Sequence, residues 1–328
     1  MHLEGCFEAD DIRGLAAEAG ERLPRPPADL FSFADLASFL EFLDWACALV
    51  RTPEQLARAA YRFAARETAS GAGYADVIVN PSHWPAWRAR LESFVDALHQ
   101  GFSEAEQDGL APTGLCISVL RRQSASEAAE LVDWLVDHDH PRVVALSIDG
   151  DEVAAGRTGP RFAAAFRRAA DAGLRRTAHA GESSGPEGVW DALELLGVER
   201  IDHGVRAVED ARLVRELGDR RVPLGICPQS NIVLGLYRDR RGHPLEDLRT
   251  AGVAVSINTD DPAYLRCTLE GEYSATAGVY GWSDEVVVSV ARTSIESSFC
   301  DEDTRARLVA ALEAWRPRGT PTSSPSGS

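Results

Sequence analysis

Lysine does not occur anywhere in the 328 residues, so all 34 basic side chains are arginines. Without lysine, the chain cannot form a Schiff base, anchor pyridoxal phosphate or hold nucleotide phosphates with a P-loop lysine. The carboxylated lysine that bridges two metal ions in many barrel hydrolases is excluded for the same reason. A metal site in this sequence is therefore expected to hold a single ion.

Paired cysteines, long apolar runs and excess positive charge are also missing. The six cysteines are scattered singly without a C-x-x-C pair, which predicts reduced core thiols and no disulfide or cysteine zinc site. No stretch approaches the ~20 apolar residues that span a bilayer and no signal sequence is seen, so we expect no membrane partner and a cytoplasmic location. A net charge of −17 opposes a nucleic acid partner but not a small neutral substrate. The oligomeric state is not indicated.

Short apolar runs alternate with helical patterns along most of the chain. This alternation implies parallel strands with right-handed helical crossovers and favours one large barrel over two domains. Seven runs are short enough for buried strands: 74–80, 115–120, 143–148, 175–178, 200–202, 222–226 and 253–257. With one more strand implied at the start, the pattern predicts an α/β fold, a (β/α)8 TIM barrel in a single domain, residues 1–315. Residues 316–328 are rich in Pro, Ser, Gly and Thr, and we expect a disordered tail.

Helical spacing of apolar residues fills the intervals between these runs. The patterns before the last strand lie at 8–20, 35–50, 52–70, 87–107, 125–137, 160–172, 186–196, 208–217 and 244–251. The second of them places Leu36, Phe39, Leu40 and Leu43 on one helical face. On pattern alone, this face is more typical of a core-facing helix than of a substrate lid.

The stretch 177–182, Thr-Ala-His-Ala-Gly-Glu, offers a metal ligand and a proton carrier together. His179 is expected at the C-terminal end of a buried strand and Glu182 in the loop that follows. A neutral imidazole is a good zinc ligand, and a carboxyl group three residues later can lie beside a bound water without ligating the metal. The alternative interpretation is an ordinary strand-to-loop turn. The residues at the ends of the other predicted strands distinguish the two interpretations.

Polar residues terminate most of the predicted strands, at the end where barrel enzymes place their catalytic groups. In chain order they are His2, Glu4, residues 149–152, His179, Glu182 and residues 202–204, 227–231 and 258–262. Single members have simpler explanations, His203 as a structural histidine and Asp260-Asp261-Pro262 as the start of a helix. Their convergence on one rim nevertheless predicts a mononuclear hydrolytic metal site.

Six motifs occur in a fixed order along the chain. They are His-Leu-Glu-Gly at 2–5, Gly-Asp-Glu at 150–152, His-Ala-Gly-Glu at 179–182, Asp-His-Gly at 202–204, Cys-Pro-Gln-Ser-Asn at 227–231 and Ser-Ile-Asn-Thr-Asp-Asp-Pro at 256–262. Together they resemble the adenosine and adenine deaminase family, the zinc-dependent purine aminohydrolases of the amidohydrolase superfamily. The resemblance covers residues 1–315. It implies a zinc-dependent barrel hydrolase that converts adenosine to inosine plus ammonia, or acts likewise on a close adenine derivative.

The resemblance also implies roles for individual residues. Three of them bind one Zn²⁺ per chain: His2, His179 and Asp260. The resemblance further implies that zinc makes an attacking water available near neutral pH and that Glu182 protonates ring N1 of the purine. His203 would orient or deprotonate that water and stabilise charge on the attacking oxygen. Asp261 would hydrogen-bond N7, and the backbone N–H of Gly150 would meet N3.

Two further features are interpreted through the family. A helix after its first strand serves as an apolar gate over the purine, so Leu36, Phe39 and Leu40 are predicted to contact substrate. Glu4 is predicted to bind substrate too, and it stands where nucleoside-specific members usually have aspartate. The longer side chain resembles that of adenine-specific and modified-nucleoside members. The expected partner is thus a purine base or nucleoside, with adenosine, adenine and a modified adenosine all open.

The first motif departs from the family pattern. The family has His-x-His before Leu-Asp-Gly or Leu-Glu-Gly and both histidines bind zinc, whereas here Met1 occupies the position x. We expect the true start to lie upstream, because a missing ligand and a truncated first strand weaken metal binding and sheet closure. His138 and His140 are excluded as substitutes, since they precede the fourth strand on the face opposite the site.

Other functions stay open on the sequence. A mononuclear relative that acts on a pyrimidine or pterin ring would keep most of these strand-end residues. A barrel that lost a zinc ligand with its first strand would be a non-catalytic binding protein. The small zinc deaminases of the cytidine type are excluded, because no P-C-x-x-C motif accompanies the His-Leu-Glu at 2–4.

Overall fold

The computed structural model describes residues 1–315, and the predicted disordered tail, residues 316–328, lies outside the described residues. Within residues 1–315, seven parallel strands form one curled sheet in chain order. The strands are β1 (Ala75–Val79), β2 (Thr113–Leu120), β3 (Val143–Asp149), β4 (Arg175–Ala180), β5 (Arg200–His203), β6 (Leu224–Ile226) and β7 (Val255–Ile257). Each strand is followed by helix, which is the arrangement of a β/α barrel.

The helices surround the sheet, and the apolar core lies between the two layers. They are α1 (Ala9–Ala19), α2 (Leu36–Ala48), α3 (Pro53–Ala69), α4 (Leu91–Gln107), α5 (Ala125–His138), α6 (Glu152–Ala155), α7 (Gly159–Asp171), α8 (Pro186–Asp191), α9 (Ala211–Arg220), α10 (Pro228–Val233), α11 (Leu245–Thr250), α12 (Leu269–Tyr280), α13 (Asp284–Ser297) and α14 (Glu302–Ala314). Side chains of Asp35, Thr52 and Ser124 cap α2, α3 and α5 by accepting an N–H of the first turn. Every residue of β2 is buried, as expected for a strand covered on both faces.

The first residues of the chain connect the two edge strands of the sheet. His2 forms a parallel bridge with Ile78 of β1, and its N–H donates to the carbonyl of Asp260, after β7, at 2.9 Å. The Leu3 N–H and the Met1 carbonyl bond to Ile78 at 3.0 and 2.8 Å. The seam is the gap between the edge strands β1 and β7. Away from these hydrogen bonds, the two strands border a cavity of about 720 Å³. The predicted barrel with a short first strand is therefore confirmed.

The seven predicted strand runs all have counterparts, whereas two helical patterns were wrong at an end. The pattern at 87–107 becomes helical only at Leu91, because Trp87 is buried in a turn where its indole N–H donates to the Val50 carbonyl at 2.9 Å. The pattern at 208–217 becomes helical at Ala211, after Asp210 caps the first turn. The pattern at 186–196 is helical over its full length, as α8 followed directly by a π-helical turn at Ala192–Leu196.

Three expectations from composition and position can be compared with the structure. The six cysteines, all within residues 1–315, are unpaired there and only Cys267 is not fully buried. None of the described helices combines the length and the apolar character that crossing a membrane requires. His138 ends α5 and stacks on Trp134, and with His140 it lies before β3, on the side of the sheet away from the strand ends.

Candidate active site and metal centre

Two histidines and an aspartate bring their ligand atoms together at the C-terminal ends of the strands. His2 Nε2 lies 2.9 Å from His179 Nε2 and 3.6 Å from Asp260 Oδ1. The three ligand atoms all lie within 4.8 Å of one another. Tetrahedral zinc, with Zn–N bonds of about 2.0 to 2.1 Å, holds its ligand atoms about 3.3 Å apart. The donor set and its spacing therefore fit one zinc ion.

The protonation states of these three residues also suit a metal. Burial and the neighbouring His179 hold the pKa of His2 well below its ordinary value, and burial together with His203 lowers the pKa of His179. Burial opposes ionisation of Asp260, but His203, His2 and His179 outweigh it and lower the pKa of Asp260 to about 2. Two neutral imidazoles and one carboxylate are thus available at neutral pH.

Neighbouring side chains orient the ligands. The Ser230 hydroxyl donates to Asp260 Oδ2 at 2.6 Å. Behind His179, Asp202 Oδ2 lies 3.8 Å from Nδ1 and accepts from the Thr177 hydroxyl at 2.7 Å. Carboxylate and hydroxyl groups in such positions fix ligand orientation and tune metal affinity. Asp260 also adopts φ +62°, a left-handed conformation that is uncommon outside glycine and clusters at functional sites.

Glu182 lies beside the ligand cluster, in the loop after β4. Its Oε1 is 3.7 Å from His203 Nε2 and accepts from Asn231 Nδ2 at 3.5 Å. Burial raises the pKa of Glu182 to about 7. Because this value is close to neutral, a large share of the carboxyl groups keeps its proton and can act as a general acid.

A chain of hydrogen bonds assigns the tautomer of His203. The Leu245 N–H donates to His243 Nδ1 at 3.2 Å, so the proton of neutral His243 is on Nε2. That N–H donates to Asn231 Oδ1 at 3.0 Å, which turns the Asn231 amide nitrogen toward His203 Nδ1 at 3.3 Å. His203 Nδ1 is then an acceptor, and its Nε2–H faces Glu182. His203 accordingly presents a hydrogen-bond donor to the site.

A cavity of about 50 Å³ lies between the ligand cluster and α2. By comparison with the space one water needs, it has room for only a few water molecules. All residues that the sequence assigns to the site line it: His2, Glu4, Leu36, Phe39, Leu40, Gly150, His179, Glu182, His203, Asp260 and Asp261. The structure therefore brings the whole predicted set together, with α2 as the apolar wall.

Glu4 forms a polar wall of the cavity and is fully buried. Its Oε1 accepts from the Asn80 N–H at 2.7 Å and from the Trp84 indole N–H at 2.8 Å. Its Oε2 has no hydrogen-bond partner within residues 1–315. Burial raises the pKa of Glu4 to about 7. A buried carboxyl oxygen without a hydrogen bond, facing a cavity, is available to accept one from a ligand.

Asp261 lies very close to Gly5, near the start of the chain. A Cβ at Gly5 would lie 2.0 Å from Asp261 Oδ1, so only glycine lets the two segments approach this closely. Burial and then the neighbouring Asp260 raise the pKa of Asp261 well above its ordinary value. This shift favours the protonated form of Asp261, whose Oδ1 has no hydrogen-bond partner among the described residues.

Several supporting residues were given no role from the sequence. Ser230 and Asn231 stand out only as polar residues after a strand, as do Asp149, which accepts from the Asn80 amide at 2.5 Å, and Glu152. His243 has no local signal, because it lies at the start of α11 and reaches the site only through Asn231. Their contacts depend on which strand ends become neighbours in the folded sheet.

A curled parallel sheet whose strand ends hold two histidines, an aspartate and a buried glutamic acid defines a metal-dependent hydrolase of the β/α barrel class. The sequence model of the adenosine deaminase family matches residues 1–315. The chain belongs to this family, and the resemblance seen in its motifs is confirmed.

Similar proteins agree with this assignment over almost the whole chain. An adenine deaminase from Streptomyces coelicolor is 35% identical over 322 residues, which are 96% of this chain and 94% of that protein. The crystal structure of an adenine deaminase from Arthrobacter aurescens superposes with a TM-score of 0.90 at 31% identity, covering 96% of this chain and 97% of the other. An amidohydrolase from Burkholderia ambifaria with bound zinc gives a TM-score of 0.86 at 26% identity, covering 95% and 87%.

Proposed function

We propose that this protein hydrolyses the free base adenine to hypoxanthine and ammonia, with one zinc ion per chain. The observation that carries the proposal is the buried Glu182, whose pKa is raised to about 7, beside a three-residue cluster that fits zinc. Hydrolysis of a C–N bond in a 6-aminopurine needs an activated water at C6 and a proton donor at the adjacent ring nitrogen. Family membership and the adenine deaminases named above support the same reaction.

The choice of a base over a nucleoside is based on Glu4. Its buried Oε2 accepts no hydrogen bond from the described residues and lies 4.0 Å from His2 Nδ1, so it is an acceptor that a ligand N–H can satisfy. Free adenine carries such an N–H on its five-membered ring, whereas adenosine carries ribose there. A nucleoside would leave this oxygen unpaired, because ribose takes the place of that N–H.

Nucleotides are disfavoured by charge. Besides its histidines, the ionisable groups that line the cavity are acidic: Glu4, Asp149, Glu182, Asp260 and Asp261. Neither arginine nor any other permanently positive side chain lines the cavity among residues 1–315, so a phosphate would enter without a counter-charge. The same carboxyl groups suit a neutral base that offers ring N–H groups and nitrogen lone pairs.

The side chains can be assigned to steps of the reaction. When bound at His2, His179 and Asp260, zinc supplies Lewis-acid activation of the attacking water. Glu182 donates its proton to N1, which makes C6 electrophilic. The Nε2–H of His203 stabilises the negative charge that develops on the attacking oxygen.

Asp261 and α2 hold the purine during these steps. Protonated Asp261 donates a hydrogen bond to the lone pair of N7. The apolar face formed by Leu36, Phe39 and Leu40 covers the ring and excludes water. Because the cavity is small, α2 has to shift outward before a purine ring can enter.

The substrate is tested by ammonia release from adenine, adenosine and deoxyadenosine and by methylamine release from N6-methyl-AMP, with zinc supplied. We expect kcat/KM for adenine to exceed that for adenosine by at least about 100-fold, because the nucleoside leaves buried polar groups unpaired. A preference for adenosine would contradict the base specificity but keep the deaminase. A fully zinc-loaded protein that releases neither ammonia nor methylamine from any of them would instead be the non-catalytic barrel.

The pH dependence follows from the raised pKa of Glu182. This group acts while protonated, so activity is retained below its pKa of about 7 and lost as the pH rises through that value. We expect kcat/KM for adenine to fall toward a tenfold loss per pH unit well above pH 7. Initial rates between pH 6 and 9, with zinc content checked at each pH, measure it. A flat profile would show that proton donation by Glu182 does not limit the reaction.

A further inference from the structure

One buried carboxylate outside the substrate cavity organises the loop that carries Glu182. Glu152, at the start of α6, is 3% exposed and accepts hydrogen bonds from four consecutive backbone N–H groups. The donors are Gly181 at 3.0 Å, Glu182 at 2.8 Å, Ser183 at 3.0 Å and Ser184 at 3.2 Å. The Ser184 hydroxyl adds a fifth bond at 2.9 Å. Successive amides around one anion form a rigid backbone nest.

Glu152 is itself held in place by a buried arginine. Arg121 Nη2 lies 3.8 Å from Glu152 Oε1 and also donates to the carbonyl of His179. Its Nη1 donates to the buried hydroxyl of Thr158 at 2.7 Å. Arg121 thereby links the carboxylate to the end of β4, the strand from which the loop emerges. The loop is fixed from both sides, by Glu152 at its amides and by Arg121 at the strand end.

The position of Glu152 depends on a glycine in α8. A Cβ at Gly188 would lie 3.0 Å from Glu152 Oε1, so glycine in α8 is what allows the carboxylate to reach the loop. Glu152 lines a separate cavity of about 220 Å³ behind the loop and is not among the residues that line the substrate cavity. It therefore has no direct contact with the substrate cavity, and its hydrogen bonds reach the reaction through the loop that carries Glu182.

We propose that Glu152 is a positioning residue, which holds the acid group of Glu182 at the distance where it can protonate the purine ring. The inference rests on the proposed function, because it assumes that Glu182 is the proton donor. Misplacing a reacting group by about 1 Å costs about 100-fold in rate. Loss of the carboxylate frees the loop, so the chemical step slows while ground-state binding of adenine, which uses other walls of the cavity, changes little.

The test uses Glu152→Gln in the full-length zinc enzyme, with Glu187→Gln as the matched control. Glu187 carries the same group in the adjoining helix α8 but is exposed. For Glu152→Gln we expect kcat for adenine to fall about 10- to 100-fold with KM within about threefold. Thermal melting and zinc content are measured on each protein to normalise the rates. The control is expected to match the wild type.

A double-mutant cycle with Glu182→Gln separates positioning from a general structural role. If Glu152 acts through Glu182, adding Glu152→Gln to Glu182→Gln has little further effect on kcat. A similar fall in both backgrounds, or an unchanged kcat in Glu152→Gln alone, would overturn the inference. Should Glu152→Gln fail to fold, Ser184→Ala, which removes one donor to the carboxylate, is put through the same cycle. A wild-type enzyme without deaminase activity would refute the proposed function instead.

Discussion

Replacing Glu182 by glutamine is expected to lower kcat for adenine by about 10³-fold, within the range that general acid catalysis contributes. Glutamine has the same shape and accepts the Asn231 contact, but it has no acidic proton for N1. Because burial already favours the neutral form of Glu182, a neutral amide in its place should leave the fold intact. Steady-state ammonia release, compared with thermal melting of the same preparation, measures both consequences.

Glu187→Gln serves as the control for this substitution too, since the exposed side chain lies five positions along the same segment. It should retain wild-type kcat and KM. If Glu182→Gln kept more than about a tenth of the wild-type kcat, the proton would have to come from elsewhere, and Glu182 would not be the general acid.

Loss of Asp260, a proposed metal ligand, is expected to have an effect at least as large. Asp260→Asn keeps a residue that tolerates the left-handed φ of +62° but removes the anionic ligand. We expect zinc bound per chain to fall from about one to a small fraction, and kcat to fall at least about 10³-fold. Metal analysis after gel filtration and ammonia release measure the two quantities. Chelation of the wild type should reproduce the loss of activity, and added zinc should reverse it.

Ser230→Ala provides an intermediate comparison, because it removes only the 2.6 Å hydrogen bond to Asp260. Its zinc affinity should fall about 10- to 100-fold, with activity restored at high zinc. Full activity of Asp260→Asn at low zinc would show that the three-residue cluster is not the catalytic metal site. Zinc bound tightly by the wild type without any deamination would favour the non-catalytic alternative.

The fold could be predicted from sequence because a parallel sheet with crossover helices leaves a strong local pattern. Each buried strand is short and apolar, and each helix has its own spacing and caps. The failures occurred where distant contacts overrode that pattern. Trp87 fits a helical pattern, yet its burial against the carbonyl of Val50 keeps its segment in a turn. The apolar pattern at 35–50 also could not distinguish a helix packed on the core from a helix that covers the substrate, because both need an apolar face.

The residues that face the substrate cavity could be predicted from the sequence, whereas the residues that support them by hydrogen bonds could not. Residues such as His179 and Asp260 stand directly after strands, and the barrel rule brings all strand ends to one rim. Glu152 follows a strand too, but its role depends on facing a loop from another strand. His243 is still less predictable, since it acts through Asn231, which belongs to a different segment. Such supporting hydrogen bonds depend on which segments become neighbours in the fold. They therefore produce no regular spacing of residues in the sequence.

The junction of His2 with Asp260 has a consequence for how the molecule folds. The two residues lie far apart in the sequence, and the His2 N–H reaches the Asp260 carbonyl at 2.9 Å. A contact between such distant segments has a high loop-closure entropy and forms late in folding. A zinc ion would bind only after that contact has formed, so its binding free energy would stabilise the folded state. Apoprotein and holoprotein would then differ most in how often this seam opens.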